Sequence, residues 1–342
     1  MEEILLGTYG TVILCSGALH LAPGLQQAGF ETVSSSPNYD GRRFFPNSDL
    51  YSWLPELESL KDPILIFQSA SCAGSYDKER WTTADRFFEV LQILHLLRNP
   101  ERIQKVGHKQ FKVTELAPKE NVGLVFTFMP CGKQDHAVKT GESVSARMVL
   151  DLLSILVPQT IYLVDPHPPE SFSFLKEQID DGKVKKITLV QYLIEEAKQR
   201  YNIMNPLVVT ADEFGAERMS LPSSGKRRLD SHTVEITGSS VDPAGRDVLL
   251  VDDLLLTGGT LLKSVEWYQS RGAKSVTPLV VHSLPLCEQG EKCLKMVVDS
   301  LGDRFLTTDT VPSEIFLHHR QNQVISCLPP IIEILKADLK NV

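Results

Sequence analysis

The sequence predicts an α/β protein built from two mostly parallel sheets, each flanked by helices. Three features carry this. Short apolar runs alternate with longer amphipathic segments, the rhythm of βα units. The rhythm runs twice, roughly over 1–155 and 156–315. The clearest apolar run, Val248-Leu249-Leu250-Val251, ends in Asp252-Asp253 and passes through Leu254-Leu255-Leu256 into Thr257-Gly258-Gly259-Thr260. That is a strand, a ligand-type loop and a helix start in succession.

Strands are expected at 11–15, 63–67, 122–129, 160–164, 206–210, 247–251 and 277–281. Each is short and apolar enough to be buried on both faces, as parallel strands are. Residues 83–98 read as a helix with Phe87, Leu91, Leu94 and Leu97 on one stripe, ended by Asn99-Pro100. Further helices are expected at 143–156 with Ser143 as N-cap, at 187–200, and at 260–271 with Gly272 as its stop. The charged segment 99–121 reads as a surface loop or insertion, and 219–245 as a loop leading into a hairpin-like stretch. The expected division is a first domain over 1–156, a second over 157–325, and a C-terminal helix over 326–342.

Composition excludes several functions. The 342 residues are 42% hydrophobic and 23% charged, ordinary for a globular protein. The net charge of −8 offers no basic field for nucleic acid or an anionic membrane. No apolar run approaches the roughly 20 residues needed to span a bilayer. The start, Met1-Glu2-Glu3, lacks a signal-peptide n-region. The cysteines (15, 72, 131, 287, 293 and 327) form no Cys-x-x-Cys pair, so neither zinc nor disulfides are expected and a reducing cytoplasm is. Cys15 and Cys131 are expected to be buried thiols.

The chemistry lies in the loop at 252–260. Ligands of open α/β sheets bind at the carboxyl ends of strands. Gly258 and Gly259 let backbone N–H groups approach an anion, and the following helix adds its positive end. Thr257 and Thr260 add hydroxyl donors. Asp252 and Asp253 repel phosphate, but suit sugar hydroxyls or a metal ion. A phosphate cradle beside a diol-binding acid pair describes a ribose 5-phosphate site; the plain alternative is a strand–turn–helix corner with solvated acids. The stretch resembles the phosphoribosyl-diphosphate motif of phosphoribosyltransferases and ribose-phosphate diphosphokinases.

The rest of the chain resembles the diphosphokinase family, in the same order and over almost its full length. Ser16-Gly17 matches the turn after the family's first strand. Phe45-Pro46-Asn47-Ser48-Asp49 matches the segment that lines a neighbouring subunit's adenine pocket, with Phe45 stacking and Asn47 and Asp49 reading the amino edge. Pro130-Cys131-Gly132-Lys133-Gln134-Asp135-His136 is similar to the ATP-contacting loop. Val164-Asp165-Pro166-His167 looks like the Asp-Leu-His whose histidine serves magnesium–ATP. The stretch 209–218 resembles Pro-Asp-x-Gly-Gly-x-x-x-Arg, with Asp212 on metal or ribose. Lys226 and Arg228 match the catalytic-loop pair. The chain departs from the family at Lys133, Val138, Gly141, Phe214 and Leu256.

The resemblance implies two tandem phosphoribosyltransferase-like domains, an ATP side and a pentose side, and a homo-oligomer. It implies transfer of a diphosphoryl group from ATP to O1 of ribose 5-phosphate, giving 5-phosphoribosyl 1-diphosphate and AMP for nucleotide biosynthesis. Lys226 and Arg228 would be catalytic. Asp252, Asp253, Thr257, Gly258, Gly259 and Thr260 would bind ribose 5-phosphate. Phe45, Asn47, Asp49, Lys133, Gln134 and His167 would bind ATP, and His167 and Asp212 would hold Mg2+. A phosphoribosyltransferase and a non-catalytic, synthetase-like subunit remain as alternatives.

Overall fold

The computed structural model describes residues 10–72, 79–157, 159–168, 172–210, 242–286 and 291–339, together with the backbone of 226–228 and 234–236. In chain order the first half carries β1 (Thr11–Leu14), α1 (Ala22–Gln27), β2 (Glu31–Ser34), β3 (Ile64–Ser69), α2 (Thr83–Arg98), β4 (Glu101–Gly107), β5 (Gln110–Glu115), β6 (Val122–Phe128) and α3 (Ser145–Leu156). Then come β7 (Ile161–Val164), α4 (Ser173–Asp180), β8 (Val184–Ile187) and α5 (Val190–Tyr201). The second half carries β9 (Leu207–Thr210), β10 (Lys226–Arg228), β11 (Val234–Ile236), β12 (Asp247–Leu255), α6 (Gly259–Ser270) and β13 (Ser275–Ser283). It closes with α7 (Lys292–Leu301), β14 (Leu306–Thr308), β15 (Val324–Ile325) and α8 (Leu328–Leu339).

Six strands form one sheet in the order β2-β1-β3-β6-β7-β8, and five form a second in the order β15-β14-β13-β12-β9. Every pairing in both sheets is parallel. The inner faces of the two sheets share one core. It holds Val12, Phe67 and Val164 of the first sheet, Leu249, Val251 and Val281 of the second, and Leu193, Ile331 and Leu335 of α5 and α8. The outer face of the first sheet packs under α2, α3 and α4; that of the second packs under α6 and α7. Helices therefore line both faces of both sheets, the reason these strands read as unbroken apolar runs.

The structure corrects several expectations. Strands β7 and β8 pair onto β6, so the sheet changes between Ile187 and Leu207 rather than at 156/157. The segment 99–121 is not a structureless loop: β4 and β5 pair antiparallel, with Ile103 opposite Val113. Its alternation of apolar and polar residues carried that hairpin beneath the charge. Helix α3 starts at Ser145, with Val144 as an N-cap that makes no side-chain bond. The Ala146 N–H is taken by the Gln134 carbonyl at 3.1 Å, which leaves Ser143 no capping role. Helix α2 is capped as its sequence allows: Thr82 and Asp85 form a reciprocal capping box. Cys15 is buried, but Cys131 is only half-buried.

Candidate active site

β13 keeps the register of β12 through Leu255. Asp252 and Asp253 therefore belong to the strand rather than the loop after it. Successive side chains of a strand point to opposite faces. Leu249 and Val251 face the shared inner core, and Asp253 is buried against His167. Val248 and Leu250 face α6 and α7, so Asp252 lies on the side of the phosphate-type loop. The two acids thus have separate environments.

The loop ends at Gly258, the N-cap of α6, with φ +72. A Cβ there would lie 2.5 Å from Val297 of α7, so both backbone and packing demand glycine. At Gly259 a Cβ would meet nothing within 4 Å among the described residues beyond its own helix. Thr257 is exposed and Thr260 half-buried.

Across from this loop, His167 follows the end of β7. Its Nδ1 lies 2.6 Å from Asp253 Oδ2, with Asp253 only 6% exposed. This bond joins the carboxyl ends of the two sheets. The carboxylate accepts, so Nδ1 carries the proton and Nε2 is the nitrogen suited to a metal, the usual arrangement behind a metal-binding histidine. The loop 130–136 reaches the same place: a Cβ on Gly132 would stand 3.6 Å from the His167 Cβ. Lys133 and Gln134, flanking it, are exposed. Gln134 is held by its carbonyl at Ala146 and by its side chain on the Ser145 hydroxyl. His136 Nδ1 pairs with Asp135 at 2.6 Å.

Asp165 sits at φ +35, two residues before His167. Its carboxylate accepts from the Leu189 N–H at 2.7 Å near the start of α5. Burial outweighs that bond and pushes its pKa up to about 6.

Phe45, Asn47 and Asp49 stand apart from this cluster, on a hairpin whose own contacts are local. Phe45 is 45% exposed, with only Tyr51 in edge contact at 5.9 Å among the described rings. Asn47 Nδ2 donates to Asp49 Oδ2 at 2.6 Å. The base of the hairpin is fixed. Glu79 accepts the N–H groups of Arg43 and Phe44, and the Arg43 guanidinium reaches the Ser35 hydroxyl at 2.9 Å and buried Glu89 at 3.5 Å. Glu89 also accepts from the Ser16 N–H at 3.1 Å, the Ser35 hydroxyl at 2.6 Å and Gln68 at 2.9 Å. The Ser16-Gly17 turn is thus tied through one buried carboxylate to the segment that presents Phe45. Neither Glu89 nor Arg43 stood out in the sequence, because a charged residue in an amphipathic helix reads as solvated.

Asp212 lies outside the described residues, as does the rest of 211–218. Lys226 and Arg228 are described as backbone only, in β10 paired with β11, which matches the hairpin-like stretch expected within 219–245. Among the described residues no group of three or more His, Cys, Asp or Glu side chains is placed to hold a metal ion. No helix of the described residues is long and apolar enough to cross a membrane. A cleft of about 740 Å³ lies elsewhere, lined by Lys292, Lys295, Asp299, Glu314, His319 and Arg320 among others. Lys295 and Arg320 both pair with Asp299 there, so it is an ion-paired surface groove sharing no residue with this site.

Comparison with known proteins bears on this arrangement. Residues 211–300 match the model of the phosphoribosyl transferase domain. The chain is 25% identical over 271 residues to the ribose-phosphate pyrophosphokinase of Saccharolobus solfataricus, covering 76% of this chain and 81% of that protein. It is 24% identical over 283 residues to the one from Sulfurisphaera tokodaii, covering 80% and 84%. The crystal structure of phosphoribosylpyrophosphate synthetase from Mycobacterium smegmatis aligns with 97% of this chain and 99% of its own, with a TM-score of 0.64 at 19% identity, a likeness of fold. Over most of its length the chain is therefore similar to ribose-phosphate pyrophosphokinases. The two parallel sheets flanked by helices share the fold of that synthetase, and the second sheet carries the stretch that matches the phosphoribosyl transferase domain.

Proposed function

We propose that the protein transfers the diphosphoryl group of ATP to O1 of ribose 5-phosphate, yielding 5-phosphoribosyl 1-diphosphate and AMP for nucleotide biosynthesis. The observation that carries this reading is the His167–Asp253 bond, 2.6 Å long, between the strand ends of the two sheets. It supports a nucleotide half-site on one sheet and a pentose half-site on the other, facing each other closely enough for in-line transfer.

The 5-phosphate would lie in the 257–260 loop, where the open space above Gly259 supports a ligand rather than a side chain. Asp252 and Asp253 would hold the ribose hydroxyls. Adenine would stack on Phe45 of a neighbouring copy, with Asn47 and Asp49 at its edge, which calls for a homo-oligomer. Lys133, Gln134 and His167 would meet the triphosphate. The O1 hydroxyl attacks the β-phosphorus and loses its proton to solvent; the bond from that phosphorus to the α–β bridging oxygen breaks, and AMP leaves. Lys226 and Arg228 would close over the charge that spreads in this step, since positioning and neutralisation dominate phosphoryl transfer.

A magnesium ion would be held by His167 and Asp212. On the His167 side the chemistry supports this: Asp253 fixes the tautomer that leaves Nε2 suited to coordination, and an aspartate carboxylate is the kind of oxygen donor that Mg2+ prefers. When bound, the ion would neutralise triphosphate charge.

The test is incubation with ATP, ribose 5-phosphate and magnesium, scoring AMP. Lys226→Ala is expected to keep the fold by circular dichroism and to lose about 10³-fold or more in kcat, by analogy with transferred-phosphoryl cations. Wild-type kcat in that variant sinks the loop assignment. The second reading is a non-catalytic partner subunit, which the departures at Lys133, Val138, Phe214 and Leu256 favour. It requires no AMP from this chain alone and restored or altered AMP release when an active relative is added.

A further inference from the structure

Behind the His167–Asp253 pair runs a buried polar seam centred on His282, at the carboxyl end of β13 and 3% exposed. Its Nε2 lies 3.2 Å from the main-chain oxygen of Asp165, and its Nδ1 lies 2.8 Å from Thr310 Oγ1. A carbonyl can only accept, so Nε2 carries the proton and Nδ1 accepts from the Thr310 hydroxyl. The Thr308 hydroxyl donates to the Val281 carbonyl at 2.7 Å, completing the set. The carbonyl of Thr310 accepts from Ser69 and Thr127, both at 2.8 Å. Ser69, Thr127 and Asp165 belong to the ends of β3, β6 and β7; His282 and Thr310 belong to the second sheet. All five are buried.

The seam does more at Asp165 than glue two units together. A non-glycine residue at φ +35 persists only where its surroundings fix it. Asp165 is held at its N–H by the Ile187 carbonyl at 2.9 Å, at its carboxylate by Leu189, and at its carbonyl by His282. The first two anchors lie in its own sheet. His282 is the hydrogen-bond donor that ties it to the second sheet, which carries Asp253.

We propose that His282 is a positioning residue for the diphosphoryl transfer. By holding the carbonyl of Asp165 it sets His167 against Asp253, and so fixes the separation of the nucleotide and pentose half-sites. This role presupposes the reaction proposed above. Each half-site is built on its own sheet and survives loss of the tie, so ground-state binding stays while alignment fails. A misplacement of about 1 Å can lower a rate 10²-fold.

Three variants test this. In His282→Gln the amide nitrogen reaches the Nε2 position and keeps the donor to Asp165. In His282→Asn the amide reaches only the Nδ1 position. Thr310→Val removes the hydroxyl that aims the ring, at constant shape. H282Q is expected to hold kcat within about threefold of wild type, and H282N and T310V to lose roughly 10²-fold in kcat with KM for both substrates within about twofold. Should H282N not fold, T310V against H282Q decides. Wild-type kcat in H282N or T310V, a loss confined to KM, or an H282Q no better than H282N overturns the role. Crystal structures give a readout apart from activity: the 2.6 Å His167–Asp253 contact is expected to persist in H282Q and to open in H282N. An unchanged contact in H282N overturns the positioning role whatever the turnover; wild-type protein that releases no AMP overturns the reaction instead.

Discussion

Adjacent glycines in the 257–260 loop have different reasons to be glycine. Gly258 needs a positive φ and has Val297 where a Cβ would go; Gly259 needs neither. Gly258→Ala is expected to lower stability by about 1–3 kcal/mol in urea unfolding, from strain and displaced packing. Gly259→Ala is expected to unfold at or slightly above the wild-type midpoint, since alanine favours a helix by about 0.5–1 kcal/mol. It should nevertheless weaken ribose 5-phosphate binding at least tenfold by calorimetry. Equal binding by that variant would mean that no ligand uses the space. The residues on strand ends were legible because strand, acid pair and glycine turn follow one another without a gap. His282 also follows an apolar strand run directly, the same signal that marked His167. It was missed because its partners, Asp165 and Thr310, are distant in sequence.

His282 also makes a pH prediction. Burial lowers its pKa from 6.5 to about 4, so the unfolded chain takes up the proton first as pH falls. Its contribution to stability is complete above pH 6.5 and is lost on descent toward pH 4. Asp165, raised to about 6, has the opposite sign: its contribution is present at low pH and is lost as pH rises through 6. Asp165 remains in H282Q, so the difference between wild type and that variant isolates the imidazole. The stability difference is expected to move by about 2–3 kcal/mol against the wild type between pH 7.5 and 4.5. A difference independent of pH would show that His282 is not held neutral.

Among elements, parallel strands buried on both faces were the easiest to find, and β1, β3, β6, β7, β9 and β13 fall close to their expected places. Three of the misses share a cause. β2 and β15 lie at sheet edges, and β8, Val184-Lys185-Lys186-Ile187, is an edge strand with two lysines; none shows an apolar run. Whether Asp252 and Asp253 stood in strand or loop depended on how far β13 pairs with β12, a property that one segment cannot reveal. Helix α2 carries a burden its periodicity did not show, since Glu89 on its inner face gathers Ser16, Ser35, Gln68 and Arg43. Glu89→Gln keeps the size but removes the buried negative charge that lies 3.5 Å from the Arg43 guanidinium and accepts from Ser16, Ser35 and Gln68. The expected loss is about 3–5 kcal/mol of stability, measured by urea unfolding. A loss under about 1 kcal/mol would place the charge of Arg43 elsewhere.

For the whole molecule, the βα rhythm implied two sheets, but a helix-strand count cannot tell which sheet a strand joins, and β7 and β8 belong to the first. The shared core makes the units interdependent. Ile331 of α8 is fully buried between the sheets. Ile331→Ala is expected to lower stability by about 2–5 kcal/mol and to shift one common thermal transition. Two separated transitions would show that the sheets unfold independently.

Helix α8 has a further consequence. Its Asp338 accepts from the Tyr162 hydroxyl at 2.7 Å and pairs with Lys185 at 2.6 Å, while Leu328, Ile331 and Leu335 cover apolar residues of the first sheet. A stretch translated after both sheets thus completes the layer beneath the one translated first. On the ribosome the early half must wait, greasy side uncovered, for residues roughly 150 positions downstream, a delay of about ten seconds or more at ordinary elongation speeds. Trigger-type chaperones should therefore crosslink to the nascent chain until 328–339 clear the exit tunnel, and release it promptly afterwards.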